Sequence, residues 1–375
     1  MKTYLAPWHG GVVCLGIILA QTPARAVDVT DELRLRGRMQ MRWGLEQEPT
    51  SDEWTDLFLL RRARVDVRWQ PADWLRFVVE VDAAEGRQPT FGLSQPRASQ
   101  APATDLGVHT KDVYARLKLH DLLRISAGQF KKPFSRLKMS SPFDLVIPER
   151  GLLDRHAVRD TYYGGYGGRD IGAMVSGVWE GPVKLRYYLG AFNNLLDDDE
   201  YHRDYVGRFQ IRIIEGLVLA VSGCHKRHHE QLGDVSDPDY QVVTRTKNLV
   251  GADLRWRLAD FEIQIEGAYG DNAGTDGDFL VIINNGLGHS LYGAHAIASY
   301  RLKIGDSLVL VPAVMAEVFD PDVEQQEDTA VRVAGGLNAD IGDHVRVVLS
   351  AEGLLDKPKR YDAPTVVFLQ LNLVF

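Results

Sequence analysis

Apolar and charged residues alternate with a period of two along most of this chain, and the alternation is cleanest where charge is densest. In the first run Leu33, Leu35, Gly37, Met39, Met41 and Trp43 fall on one face, with Arg34, Arg36, Arg38, Gln40 and Arg42 on the other. The second sets Ala63, Val65, Val67 and Trp69 against Arg62, Arg64, Asp66 and Arg68. The third sets Leu75, Phe77, Val79 and Val81 against Arg76, Glu80 and Asp82. A period of two is that of a β-strand, and no stretch carries the 3.6-residue period of a long amphipathic helix. Continued along the chain, the pattern predicts strands at 33–45, 57–69, 74–84, 111–120, 122–131, 170–180, 182–192, 205–214, 216–227, 246–258, 260–270, 289–302, 306–318, 329–340, 344–354 and 365–375. Both faces are mixed at 216–227 and 289–302.

The connections alternate as well. Short turns at 70–73, Asp121, Gly181, Glu215, Ala259, Gly305 and Gly342 interleave with longer polar loops at 46–56, 85–110, 132–169, 193–204, 228–245, 271–288, 319–328 and 355–364. A soluble sandwich has no reason to gather every long connection at one end, whereas an outer-membrane barrel has short periplasmic turns and long external loops. The predicted fold is therefore all-β: a transmembrane antiparallel β-barrel of about 16 strands. A Lys or Arg on the lipid face at mid-membrane costs roughly 2–4 kcal/mol, so the charged rows must face the lumen. Closure leaves no unpaired edge in hydrocarbon. Trp43, Trp69, Trp74, Trp179, Tyr187, Trp256 and Tyr269, near strand ends, are candidates for interfacial girdles.

Residues 1–26 do not belong to this pattern. Lys2, an apolar run from about Gly11 to Ala20, and the closing Ala24-Arg25-Ala26 read as a signal peptide, which leaves a barrel domain at 27–375. The apolar run is shorter than the roughly 20 residues of a membrane-spanning helix. Removing the leader takes Lys2 and Arg25 from the 43 basic residues and nothing from the 51 acidic ones, for a net charge of about −10. Such a balance argues against nucleic acid as a partner. Cys14 lies in the leader, so Cys224 is alone in the exported part and no intrachain disulfide is expected there. The last strand carries Val367, Leu369, Leu371, Leu373 and Phe375 in one row. Its terminal Phe375 resembles the signal by which outer-membrane barrels are recognised by their assembly machinery.

Charge is unevenly divided. Lumen-facing basic candidates are Arg34, Arg36, Arg38, Arg42, Arg62, Arg64, Arg68, Arg76, Arg116, Lys118 and Arg124 early in the chain. Lys184, Arg186, Arg208, Arg212, Arg255, Arg257, Arg332 and Arg346 follow later. The lumen acids are fewer: Asp66, Glu80, Asp82, Asp112, Asp253, Glu262, Glu266 and Glu352. Rings of Arg or Lys are how anion pores select, and the planar guanidinium donates two hydrogen bonds to a phosphate at once. The competing reading is that these arginines pair with lumen acids and brace the wall.

Leu60-Arg61-Arg62-Ala63-Arg64-Val65, Ala127-Gly128-Gln129-Phe130-Lys131-Lys132-Pro133-Phe134, Arg169-Asp170-Ile171-Gly172 and Tyr188-Leu189-Gly190-Ala191-Phe192-Asn193-Asn194 occur in that order. With these stretches the chain resembles the phosphate-selective porin O and P family. The resemblance implies a Gram-negative outer-membrane porin of sixteen strands, commonly a homotrimer, with outer-membrane lipids around it and phosphate or other small anions as its passengers. It also implies that the 132–169 loop folds inward as the constriction, with Lys131, Lys132, Arg136 and Lys138 as its anion contacts. No cofactor, metal or catalytic residue is expected. His225-Lys226-Arg227-His228-His229 lacks a supporting carboxylate for a metal, and the glycine-rich 163–168 opens no βαβ unit. A general or weakly selective pore, a plugged structural or adhesive barrel, and a barrel lipase or protease are the alternatives; no Gly-x-Ser-x-Gly is present for the last.

Overall fold

The computed structural model describes residues 27–47, 53–84, 108–154, 158, 168–193, 202–232, 241–271, 290–356 and 365–375. The leader read at 1–26 and residues 163–167 of the glycine-rich stretch lie outside them. Sixteen antiparallel strands close into a barrel, in the number and order that the alternation predicts. They are β1 (Leu33–Gln47), β2 (Trp54–Ala72), β3 (Leu75–Asp82), β4 (His109–His120), β5 (Leu123–Lys131), β6 (Arg169–Glu180), β7 (Lys184–Phe192) and β8 (Asp204–Ile214). The second half comprises β9 (Leu217–Leu232), β10 (Gln241–Leu258), β11 (Phe261–Asp271), β12 (Leu291–Tyr300, continued by Leu302–Ile304), β13 (Leu308–Asp320), β14 (Ala330–Ile341), β15 (Val345–Asp356) and β16 (Val366–Val374). A two-residue strand, Val27–Asp28, pairs with Leu35 and Arg34 ahead of the barrel. One short helix, α1 (Arg136–Met139), follows β5. Among the described residues no helix is long and apolar enough to cross a membrane.

Burial is inverted relative to a water-soluble fold. Val65, Val314 and Leu349 are exposed on the outer surface, while Arg38 and Arg64, on the charged rows, are buried inside the lumen. Lipid solvates the first set and other polar groups the second. Aromatics crown the outer face at both ends of the strands: Trp69, Trp74, Phe77, Trp179 and Trp256 toward the short turns, and Phe58, Tyr205, Tyr269 and Tyr292 toward the long loops. Phe58 and Trp69 lie on the same strand, and at about 3.4 Å per residue with a tilt of roughly 40° they stand roughly 28 Å apart along the barrel axis, close to the apolar band of such barrels.

Most strand ends differ from the sequence reading by one to three residues, and two connections differ in kind. Gln70-Pro71-Ala72 stays in β2 through a register shift after Trp69, and only Asp73 and Trp74 form the turn. The β9–β10 ladder continues to Leu232 and Gln241, which shortens the loop predicted at 228–245. Strand residues that stand in water beyond the bilayer need no apolar face, and alternation therefore gives no sign of them.

The seam is built on a glycine. β16 pairs with β1 from Val366–Glu46 to Val374–Arg38. Gly37 N–H then donates to Phe375 O at 2.7 Å, and Phe375 N–H to Gly37 O at 2.9 Å. A Cβ on Gly37 would overlap the Phe375 ring. Gly37→Val is thus expected to lower the yield of closed barrel far more than Gly335→Val, where nothing stands within 4 Å. Heat-modifiable mobility on unheated gels reads that difference.

Candidate functional site: the lumen and the loop that crosses it

The lumen wall of β1–β7 places basic side chains opposite one another across neighbouring strands. The register pairs Arg34 with Arg68, Arg38 with Arg64, Arg76 with Arg116, Lys118 with Arg124, and, between β7 and β8, Lys184 with Arg212. Like charges directly opposite are destabilising unless something else compensates them. Part of the compensation is internal. Asp66 takes Arg36 at 3.4 Å, Arg38 at 3.8 Å and Arg68 at 2.9 Å. Glu80 pairs with Arg38, with Arg64 at 3.1 Å and with Arg169 at 3.5 Å, and Asp82 takes Arg64 at 2.7 Å. Three carboxylates therefore serve five arginines.

Three further arginines have, among the described residues, only neutral partners. Arg76 donates to Gln70 Oε1 at 3.0 and 2.6 Å. Arg116 donates to Ser126 Oγ at 3.0 Å and lies over the Tyr114 ring, and Arg186 reaches Tyr188 Oη at 3.4 Å. A cavity of about 430 Å³ runs along this wall, and nine arginine or lysine side chains border it against two carboxylates, Glu80 and Asp112.

What leaves the cavity on that side is the long loop after β5, which crosses the lumen and is pinned to strands all round it. Arg136 pairs with Asp253 on β10, and Leu137 N–H donates to Glu266 on β11 at 3.1 Å. Arg38 and Gln40 of β1 reach Ser141 Oγ and Pro142 O, and Arg346 of β15 reaches Phe143 O at 3.2 Å. Asn338 of β14 donates to Val146 O at 2.9 Å, and Arg42 takes Glu149 at 2.7 Å. Beyond Gly151, held at φ +99°, Leu152 and Leu153 N–H both donate to Glu317 of β13, at 2.8 and 3.0 Å.

The loop also packs like a core. Leu137, Leu145 and Ile147 cluster with Ile297, Ala313, Met315 and Ala334 of β12–β14. Phe134, Leu152 and Leu153 cluster with Phe192, Val206, Cys224, Leu249 and Phe319. Apolar residues on the lumen face explain why 216–227 and 289–302 read as mixed: their inner rows meet this loop instead of water. The loop thus fills the β8–β15 side, and the open path hugs the β1–β7 arginines. A second cavity of about 440 Å³ lies under the loop against β10–β15, with five basic groups and three acids on its lining.

The predicted residues divide accordingly. Arg36, Arg38, Arg64, Arg68, Arg116, Arg124 and Lys131 line the first cavity, and Arg34, Arg62, Arg76 and Lys118 do not. Arg62 is buried and donates to Gln40 Oε1 at 2.6 Å. Lys118 stands 2.9 Å from Asp121 at the short turn between β4 and β5. Of the four constriction candidates, only Lys131 borders that path, its Nζ donating to the carbonyls of Lys138 and Ser140. Arg136 borders the second cavity, and Lys138 is buried 4.0 Å from Asp154. Lys132 is fully enclosed between Asp204 and, at 3.2 Å, Asp170. It ties the start of the loop to β6 and β8. Lys132→Ala, by removing the ammonium that Asp170 and Asp204 share and leaving Asp204 with Lys226 at 3.6 Å, is expected to cost about 3 kcal/mol in urea unfolding of the detergent-folded barrel.

Arg169 also lines the path, held by Asp112 at 2.7 Å. It was legible in the sequence only as part of a motif. His225 bonds Asn248 at 2.8 Å while Lys226 points inward to Asp204, so the basic cluster at 225–229 is split between two faces; the side chains of His228 and His229 lie outside the described residues.

An inward loop pinned beside an arginine wall is a porin's arrangement, and comparison of the sequence agrees. The chain matches the phosphate-selective porin O and P family over residues 31–212. That stretch runs from β1 through β8 and includes the arginine wall and the constriction loop. Among solved structures, this chain is similar to the outer membrane channel DcaP of Acinetobacter baumannii, at 12% identity, TM-score 0.55, 92% of this chain and 97% of that one. OmpT, an outer membrane protein of Vibrio cholerae, is 11% identical at TM-score 0.54, with 94% and 100% covered. A porin refined at 1.8 Å resolution is 14% identical at TM-score 0.53, with 92% and 100% covered. At these identities the likeness concerns the fold. No curated protein matches the sequence.

Proposed function

We propose that this outer-membrane porin is an anion-preferring, water-filled channel through which phosphate or related small anions diffuse down their gradient. The observation that carries the reading is the excess of nine basic over two acidic side chains along the open path, two of the arginines, Arg116 and Arg186, having only neutral partners among the described residues. A fixed positive lining raises local anion concentration, most strongly at low ionic strength. Guanidinium forks such as Arg116 and Arg186 supply charge-assisted hydrogen bonds that a phosphate oxygen can accept.

Export through a leader at 1–26, recognition of Phe375 by the assembly machinery and assembly as a homotrimer belong to the same reading. The family match and the barrel fit a channel without enzymatic activity. Phosphate added to a chloride background is expected to reduce single-channel chloride current in a planar bilayer at concentrations where sulfate reduces it less. Undiminished chloride current would remove phosphate as the preferred passenger.

A further inference from the structure

Basic groups make up only part of the wall of the open path. On the inner face of β4–β7, Tyr114, Phe130, Met174, Val178 and Tyr188 border the same cavity, and Met139 of the constriction loop joins them. Inorganic phosphate has no use for such a surface, since what it offers is strong acceptor oxygens.

Cross-strand register sets these residues among the two arginines of the path that have only neutral partners among the described residues. Arg116 of β4 stands opposite Ser126 of β5, and Ser126 opposite Met174 of β6. Further along β6, Ser176 stands opposite Tyr188 and Val178 opposite Arg186, both of β7. An inward row of Met174, Ser176 and Val178 therefore runs between Arg116 and Arg186, with Tyr188 beside it. The rings are held from behind. Tyr114 and Tyr188 are half-buried and pack on the cluster of Phe130, Phe134 and Phe192, and Tyr114 meets Phe130 edge-on with centroids 5.5 Å apart. Arg116 lies 5.2 Å from the centre of the Tyr114 ring, so charge and aromatic surface already adjoin.

We propose that this part of the path is a binding site for aromatic oxyanions, such as aryl phosphonates and aromatic carboxylates; the inference rests on the anion-channel reading above and extends its passengers to organic ones. Arg116 and Arg186 donate to the head group, and the ring lies along Met174 and Tyr188. Thioether and aromatic side chains both make favourable contacts with a ring. Concave sites for small molecules combine apolar and aromatic walls with a few placed polar groups, as this stretch does. A purely inorganic anion gains only from the polar groups.

The test compares phenylphosphonate with methylphosphonate as blockers of single-channel chloride current in a planar bilayer, at a pH where both are dianions. The head group is the same, so the ratio of half-blocking concentrations reads the ring. Phenylphosphonate is expected to block at about fivefold lower concentration, the effect of an aromatic contact of about 1 kcal/mol. Tyr188→Ser should abolish that difference, and Tyr188→Phe, which keeps the ring, should preserve it. Heat-modifiable mobility confirms that each variant is folded. Equal block by the two phosphonates, in channels whose reversal potential is set by chloride, would overturn the inference and leave the anion reading standing. So would an undiminished difference in folded Tyr188→Ser channels. A reversal potential set by potassium would remove the underlying reading, and this inference with it.

Discussion

Replacing Arg68, Arg116 and Arg186 together by glutamine is expected to remove most of the anion preference while leaving the barrel folded. These side chains border the open path from three different strands, and the partners of Arg116 and Arg186 are neutral, so their loss strands no buried carboxylate. Asp66 loses Arg68 but keeps Arg36 and Arg38. With an anion about 7 Å from each charge and an effective dielectric constant of about 80, each contributes about 0.6 kcal/mol. Three removed amount to about 1.8 kcal/mol, or roughly 20-fold in anion occupancy at low salt, and less as screening shortens the range of the field. The same three changes made at Arg332, Arg346 and Arg257 should do something else. Arg332 is buried between Glu317 and Glu352, Arg346 is held by Asp340 at 2.5 Å, and Arg257 pairs with Glu262 at 2.5 Å. Those substitutions should destabilise the wall without a comparable change in selectivity.

Glu317→Ala is expected to release the constriction loop. This single carboxylate accepts both Leu152 and Leu153 N–H and also faces Arg332 at 3.3 Å. Its removal strands two amide donors in a dry site, at about 1–3 kcal/mol each, and leaves Arg332 with Glu352 alone. The apolar packing of Leu152 and Leu153 against Phe319 and Leu291 then has no polar latch. Single-channel recordings should show a larger conductance with more current noise, together with weaker anion preference, because a wider path moves ions away from the β1–β7 wall. Unchanged conductance with normal folding would mean that the other attachments, such as Arg136–Asp253 and Arg42–Glu149, hold the loop by themselves.

Much of the fold was readable because lipid imposes a rule that leaves a mark on every strand. An outward row of Leu35, Val65, Val67, Trp69, Phe77 and Val79 against an inward row of charge has one solution, and the tight turns at Asp121, Ala259 and Gly342 number the crossings. The rule lapses where its cause does. Ile297 and Met315 break it because a loop packs on them from inside.

The candidate site was legible in part for a related reason. Which side of the wall Arg38, Arg64 and Arg68 occupy follows from strand parity. Whether their charge is spent on Asp66, Glu80 and Asp82 or offered to an ion follows from cross-strand register, which the sequence of one strand does not carry. The family resemblance pointed to the constriction loop but not to the roles within it: Lys132 adjoins Lys131 and Lys138 follows seven residues on, yet both are buried against carboxylates inside the loop's packing. One sign of its inward path was present, since Phe134, Leu137, Phe143, Leu145, Ile147, Leu152 and Leu153 are a heavy apolar load for a loop supposed to stand in water, and all are buried.

The central claim is that the open path is electrostatically positive, and the reversal potential of single channels across a planar bilayer with a potassium chloride gradient tests it most directly. The arginine wall predicts a potential of the sign set by chloride, growing as the salt on both sides is diluted and the screening length increases. A potential set by potassium would contradict the account, because it would mean that the carboxylates of the lumen and loops outweigh the nine basic groups along the path.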